Sequence, residues 1–300
     1  MAGEEGRSLA QRRGRLRVVL VLVLLSGVVR AGVASAQQHA LRSVAHGARM
    51  PGAGEPLVVV KGLDQPYGVA VDSRGTIYIA ESGNNRVVKV LAGGSALIPV
   101  ATGLSDPYGV AVDSTGTIYI AEWGRNRVVK VPARGGVIPV ATGLSGPYGV
   151  AVDSKGTVYI AESGNGRVVK VAAGGRTLST VASGLDGPRG VAVDSRGTVY
   201  IAETSMGTVV KVPAGGGAPI QVSDTLSGPR GMAVDSRGTL YIADHDYDRV
   251  VKVAAGSSIL ITVARGASGP SGVAVGSTGT VYIAETNHGQ VVKVPAGKGH

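Results

Sequence analysis

The frame Pro-x-Gly returns at Pro66, Pro107, Pro147, Pro188, Pro229 and Pro270, at intervals of 41, 40, 41, 41 and 41 residues. Each copy continues almost unchanged: PYGVAVDSRGTIYIAESGNNRVVKV from Pro66 and PYGVAVDSKGTVYIAESGNGRVVKV from Pro147. A fixed period of this length is the signature of a repeat architecture, in which one supersecondary unit packs against copies of itself. Near-identical units specify a scaffold, so a unique site has to sit where the copies differ.

Each unit holds four short strand candidates. In the first copy they are 67–71, 76–80, 87–91 and 97–101, which we letter a to d. The links are turn-formers: Asp72-Ser73-Arg74-Gly75 between a and b, Ser82-Gly83-Asn84-Asn85 between b and c, Ala92-Gly93-Gly94 between c and d. Asp supplies a local acceptor and Gly the positive φ that tight turns need. Links this short allow only up-and-down antiparallel pairing. Strand b, TIYIA, is apolar at consecutive positions, the pattern of a strand covered on both faces. The 48 Gly among 300 residues, with no Phe and no Cys, fit strands punctuated by turns. Zero Cys also excludes disulfides, thiolate metal sites and a Cys nucleophile.

Four-stranded sheets repeated radially and buried on both sides make a β-propeller. The chain ends predict how it closes. The sixth copy finishes strand c at Val291–Val294 and has no strand d, while a spare strand, Leu57-Val58-Val59-Val60, precedes the first strand a. The expected fold is therefore all-β, a six-bladed propeller whose N-terminal strand, about residues 57–60, completes the last blade. An open solenoid would leave both edges unpaired.

The unit P-x-G-V-A-V-D-x-x-G-x-Φ-Y-I-A-[DE] followed by R-V-V-K-V resembles the NHL repeat. It is most similar to the extracellular sensor propeller of bacterial transmembrane Ser/Thr kinases. The resemblance covers about residues 55–300 and implies a propeller that senses or binds. It does not imply one activity, since propellers host binders, scaffolds, lyases and lactonases. No Gly-rich phosphate loop, H-R-D or D-F-G set accompanies the repeats.

The first 36 residues read as a secretory signal peptide: Arg7, Arg12, Arg13, Arg15 and Arg17, an apolar stretch over 18–29, then Ala34-Ser35-Ala36 before Gln37. The alternative is an uncleaved anchor through residues 18–29. Residues 37–54 lack periodicity and read as a flexible spacer, leaving 55–300 as the propeller. The expected location is secreted or extracytoplasmic, with possible association with the cell envelope. The net charge is +10, of which +6 falls outside residues 1–36. A mildly basic exported domain meets anionic surfaces rather than nucleic acid. Arg74, Lys155, Arg196 and Arg237, in the a–b turns, make the face opposite the b–c loops basic.

Comparing the copies locates the candidate site. The residue after the frame Pro reads Tyr67, Tyr108, Tyr148, Arg189, Arg230, Ser271, and the second residue after strand b reads Ser82, Trp123, Ser163, Thr204, His245, Thr286. In an up-and-down blade both positions lie at one end, around the mouth of the central channel. The predicted binding face is Tyr67, Tyr108, Trp123, Tyr148, Arg189, Arg230 and His245. Its aromatic and cationic sides suit a sugar or aromatic group together with an anion. The expected ligand is a protein, peptide or glycan, bound by a monomer without a cofactor or catalysis of its own.

The alternative is a metal-dependent lyase or hydrolase on the same fold. Its weak metal candidates are Asp244, His245, Asp246 and Asp248, with His288 nearby. The acids after strand b, Glu81, Glu122, Glu162, Glu203, Asp244 and Glu285, read as structural partners of Arg86, Arg127, Arg167 and Arg249. Glu203 and Glu285 face Thr208 and Gln290 instead, which singles them out.

Overall fold

The computed structural model describes residues 56–296. The leader, the whole spacer, Glu55 and residues 297–300 lie outside them. Among the described residues, 24 strands form six four-stranded sheets. The first blade comprises a Pro66–Val71, b Ile77–Glu81, c Arg86–Val90 and d Ile98–Ala101. The strands pair antiparallel in the order a-b-c-d. Strand b starts one residue later than the pattern suggested. The Thr76 N–H is taken by Asp72 Oδ1 at 2.8 Å and so belongs to the turn.

That turn is built by one side chain. Asp72 Oδ1 also accepts the Arg74 N–H, and Asp72 Oδ2 accepts the Tyr78 hydroxyl at 3.3 Å. Asp113, Asp153 and Asp235 repeat the arrangement with Tyr119, Tyr159 and Tyr241. These four strand-b tyrosines are thus core wedges with a polar tip held at the turn. Blade six carries Gly276 in place of this Asp and closes its turn by backbone bonds, Gly276 N–H to Thr280 O and Gly279 N–H to Gly276 O, with the Thr278 and Thr280 hydroxyls 3.2 Å apart.

The core lies between blades. Ile79, Ile120, Ile160, Ile201, Ile242 and Ile283 of the b strands have no exposed surface. Each packs with valines and alanines of its own and a neighbouring blade. Both faces of strand b are covered, which is why its apolar residues run consecutively.

The ring closes as the chain ends imply. Strand Leu57–Lys61 pairs antiparallel with Gln290–Val294, matching Leu57 with Lys293 and Lys61 with Gln290. The last blade therefore takes its outer strand from the N-terminal side, and Val60 and Leu63 join the core shared by the sixth and first blades. Among the described residues no helix is long and apolar enough to cross a membrane.

Deleting residues 55–62 removes the fourth strand of the last blade and bares an edge. Thermal unfolding and size-exclusion chromatography should show a lower Tm and self-association. An unchanged Tm and elution volume would disprove the clasp.

Candidate functional site

The frame Pro-x-Gly is where the blades meet at the axis. In every blade the a–b register slips just after the frame Pro, as between Pro66 and Gly68 or Pro147 and Val150. Such a bulge breaks the ladder and re-aims a side chain. The residue at x then lines the channel: Tyr67, Tyr108, Tyr148, Arg189, Arg230 and Ser271 converge there.

These side chains nearly fill the mouth. Tyr67 and Tyr108 have ring centroids 4.6 Å apart, Tyr108 and Tyr148 4.7 Å, and Tyr67 meets Tyr148 edge-on at 6.2 Å. Trp123 extends the cluster, 5.9 Å from Tyr108. The free space along the channel is only about 60 Å³, room for one or two waters. The tyrosines stack on one another rather than lining an open bowl, which leaves the channel too narrow for anything larger than water.

The cationic side is unbalanced. The Arg189 guanidinium lies 5.2 Å from the Tyr148 ring centroid. Arg230 donates from Nη1 to Ser271 Oγ at 3.2 Å, while its Nε is buried without a partner. Among the described residues neither arginine has a carboxylate partner. The Tyr148 hydroxyl is also buried and unpaired. Burial pushes it up to about 12, although the two arginine charges pull the other way. Tyr148 is therefore a neutral donor. An unmatched cation beside unused donors is costly in a half-buried site and favours an incoming anion.

His245 has a different position. Its Nδ1 lies 3.2 Å from the Pro270 carbonyl oxygen and 3.4 Å from Ser271 Oγ. Ser163, Thr204 and Thr286 make the same bond to Pro188, Pro229 and Pro66 of the next blade, at 2.8, 2.7 and 2.8 Å. The position is a latch between blades. Burial, and then the Arg230 charge, lower the His245 pKa, which keeps the ring neutral.

The four metal candidates do not converge. Asp244 is buried against Arg249 Nε at 2.6 Å and accepts the Ser227 N–H at 2.7 Å, with burial pushing its pKa upward. Asp246 Oδ2 reaches Ser227 Oγ at 3.4 Å. Asp248 is left-handed (φ 48°), and its Oδ1 accepts the Gly269 N–H. Asn85 and Asn126 do the same toward Asp106 and Gly146. His288 Nδ1 sits 3.4 Å from Glu285. Among the described residues no group of three or more His, Asp or Glu side chains gathers as metal ligands do.

The acids that end strand b are structural. Glu81, Glu122 and Glu162 are fully buried and bind Arg86, Arg127 and Arg167 at 2.5–2.6 Å. Their second oxygens accept the N–H groups of Asp64, Ser105 and Ser145 in the d–a loops. Burial raises the Glu81 pKa, but the bonds from Arg86, Asp64 and Asn84 outweigh it and hold the carboxyl below its usual value. Glu203 and Glu285 are satisfied too, by Thr208 Oγ1 at 3.1 Å and Gln290 Nε2 at 2.6 Å. Their singling out on sequence therefore dissolves.

The structure adds residues that sequence comparison missed. A groove of about 580 Å³ runs beside the mouth across blades two to four. It is lined by Trp123, Asn126, Ser145, Ser163, Arg189 and Ser205, with glycines forming its floor. Asn126 and Ser205 fall in the b–c loops WGRN and TSMG, which diverge most among the copies, while Ser145 and Ser163 look like ordinary loop residues in the sequence. Only the folded ring brings three blades' loops together. A further legible signal is Gly146 and Gly187, where the first two blades have Gln65 and Asp106.

The NHL repeat model matches residues 63–90, 104–131, 144–171 and 268–294. Four of the six propeller blades thus match the NHL repeat. No curated protein matches it in sequence. Among solved structures it is similar to a gluconolactonase of Xanthomonas campestris, with TM-score 0.71 and 16% identity over 80% of this chain and 89% of that one. It is also similar to virginiamycin B lyase of Staphylococcus aureus, with TM-score 0.58 and 14% identity over 81% and 88% of the two chains. A chain of the nidogen–laminin complex matches with TM-score 0.60 and 17% identity over 66% and 80%. At these identities the likeness is one of fold.

The contrast between paired and unpaired charges gives a stability test. Glu162→Ala strands Arg167 and the Ser145 N–H and should cost about 3 kcal/mol in urea unfolding. Arg189→Ala removes a charge with no partner and should change stability by less than about 1 kcal/mol. Equal losses would contradict the division between structural and recognition residues.

Proposed function

We propose that this chain is an exported binding module, without catalysis of its own, that takes a protein, peptide or glycan ligand on the mouth face of its propeller. Its role is like that of the kinase sensor propellers it resembles, and it works as a monomer at or outside the cell envelope. The observation that carries the reading is where the repeat breaks. Five of six blades supply a bulky side chain at x, and two of these are arginines with no acid partner. Trp123, the only tryptophan, stands 45% exposed beside them. Exposed aromatic and arginine side chains are the usual anchors of recognition surfaces.

The second reading, a metal-dependent lyase or hydrolase, is favoured by the fold shared with the gluconolactonase and the lyase. Against it, His245 and His288 occupy separate positions, one bound to the next blade and one beside Glu285.

The two readings separate in one experiment. Full-length protein is purified from its own host, and co-purified or captured ligand is quantified by native mass spectrometry. The same is done for Trp123→Ala, Arg189→Ala and His245→Ala, with and without EDTA. A binding module loses its ligand on Trp123→Ala and Arg189→Ala and is indifferent to EDTA. Ligand retention in both variants, or turnover abolished by EDTA and by His245→Ala, would overturn it.

A further inference from the structure

Blades three to six share a latch, while Ser82 of blade one and Trp123 of blade two make no such bond among the described residues. Ser163, Thr204, His245 and Thr286 bond the next blade's frame carbonyl. Trp123 occupies the equivalent position, and its indole Nε1 makes no hydrogen bond among the described residues. The ring instead leans over Gly146, where a Cβ would lie 3.1 Å from Nε1. Gly146 has φ +55°, so glycine there serves both the turn and the ring. A large apolar side chain is thereby held at 45% exposure on the rim of the 580 Å³ groove.

The walls of that groove determine what fits. They are hydroxyls, an amide and glycine backbone, with no aliphatic side chain and no acid. Asn126 spends its carbonyl oxygen on the Gly146 N–H, and its NH₂ donors remain for a ligand. Ser163 donates to Pro188 O and keeps its acceptor lone pairs. A peptide anchor would need apolar walls around the indole. A pyranose ring has one face of C–H groups to lie on the indole and an edge of hydroxyls for Ser and Asn. At the far end stands Arg189, which has no carboxylate partner and is followed around the mouth by Arg230 with its buried, unpaired Nε. An uncharged sugar leaves those cations unanswered, whereas an acidic substituent answers them.

We propose that the groove of blades two to four is a saccharide subsite specific for an anionic sugar, with a pyranose ring on Trp123 and its carboxylate or phosphate on Arg189. This rests on the mouth-face reading and names its ligand class. A uronic acid and a sugar phosphate present the same chemistry.

The chain has one tryptophan, so its emission reports on this groove alone. Full-length protein is titrated with tetragalacturonate, glucose 1-phosphate, neutral cellotetraose, inorganic phosphate and AMP, and calorimetry repeats each titration on Trp123→Ala and Arg189→Gln. The expected result is a saturable emission change with tetragalacturonate, glucose 1-phosphate or both, which tells carboxylate from phosphate. Cellotetraose and inorganic phosphate should each bind at least about tenfold more weakly, and Arg189→Gln should remove the preference for the acid. Trp123→Ala should abolish binding with the circular dichroism spectrum unchanged. The proposal is overturned if no saccharide saturates, if inorganic phosphate or AMP binds as tightly as the sugar acids, or if Arg189→Gln binds both classes as before. A ligand of another kind, lost on Trp123→Ala in the capture experiment, would then leave the binding module standing and remove only its sugar.

Discussion

Six inner strands meet at the axis with no room for a side chain between them. A Cβ on Gly68 would collide with the Tyr108 carbonyl, one on Gly109 would lie 2.5 Å from the Tyr148 carbonyl oxygen, and Gly149, Gly190 and Gly231 repeat the contact around the ring. Gly272 completes it against Tyr67 of the first blade. Backbone against backbone at the centre is the constraint from which the rest follows. It requires glycine at one position in every blade, and the bulge beside it turns the preceding side chain toward the mouth. Six positions are thereby gathered into one small opening, and whatever residues occupy them interact. Three tyrosines close most of it, and two arginines supply the charge.

The polar residues of the same face divide by whether they have partners. Four of the buried acids, Glu81, Glu122, Glu162 and Asp244, hold a b–c hairpin arginine with one oxygen and an incoming loop N–H with the other, and so fix the loop to its blade. In blades three to six the side chain one position later holds the next blade. The carboxylates so satisfied are committed to the fold, and His245 spends its Nδ1 on a backbone carbonyl. The residues left over are those that a scaffold does not need: Trp123, the Arg189 guanidinium, the Arg230 Nε and the Tyr148 hydroxyl. Recognition is proposed for them because their own fold does not satisfy them.

The period, four strands per unit and the closing strand, read as about 57–60 and found at 57–61, were all legible in the sequence, because strand patterning and turn chemistry are local. Strand edges differed by a residue where a side chain decided the matter, as with Thr76 held by Asp72. The face on which the copies vary was legible by comparing them with one another. What the sequence concealed was spatial. Pro-x-Gly marked the repeat without revealing that its glycine touches the next blade. Tyr67, Tyr108 and Tyr148 are about 40 residues apart, and nothing local says that they stack. Glu203 and Glu285 drew notice by lacking an arginine, yet Thr208 and Gln290 reach them. Asn126, Ser145 and Ser205 gain meaning only when three blades place them around one groove.

The central claim, that glycine contact at the axis sets the ring and hence the mouth, is tested most directly by urea unfolding of Gly190→Ala beside Gly215→Ala. Gly190 abuts the Arg230 carbonyl, while Gly215 has nothing within 4 Å and no positive φ. The account predicts a loss of about 2–3 kcal/mol or more for Gly190→Ala and a change of less than about 1 kcal/mol for Gly215→Ala. Equal stability in the two variants would contradict it.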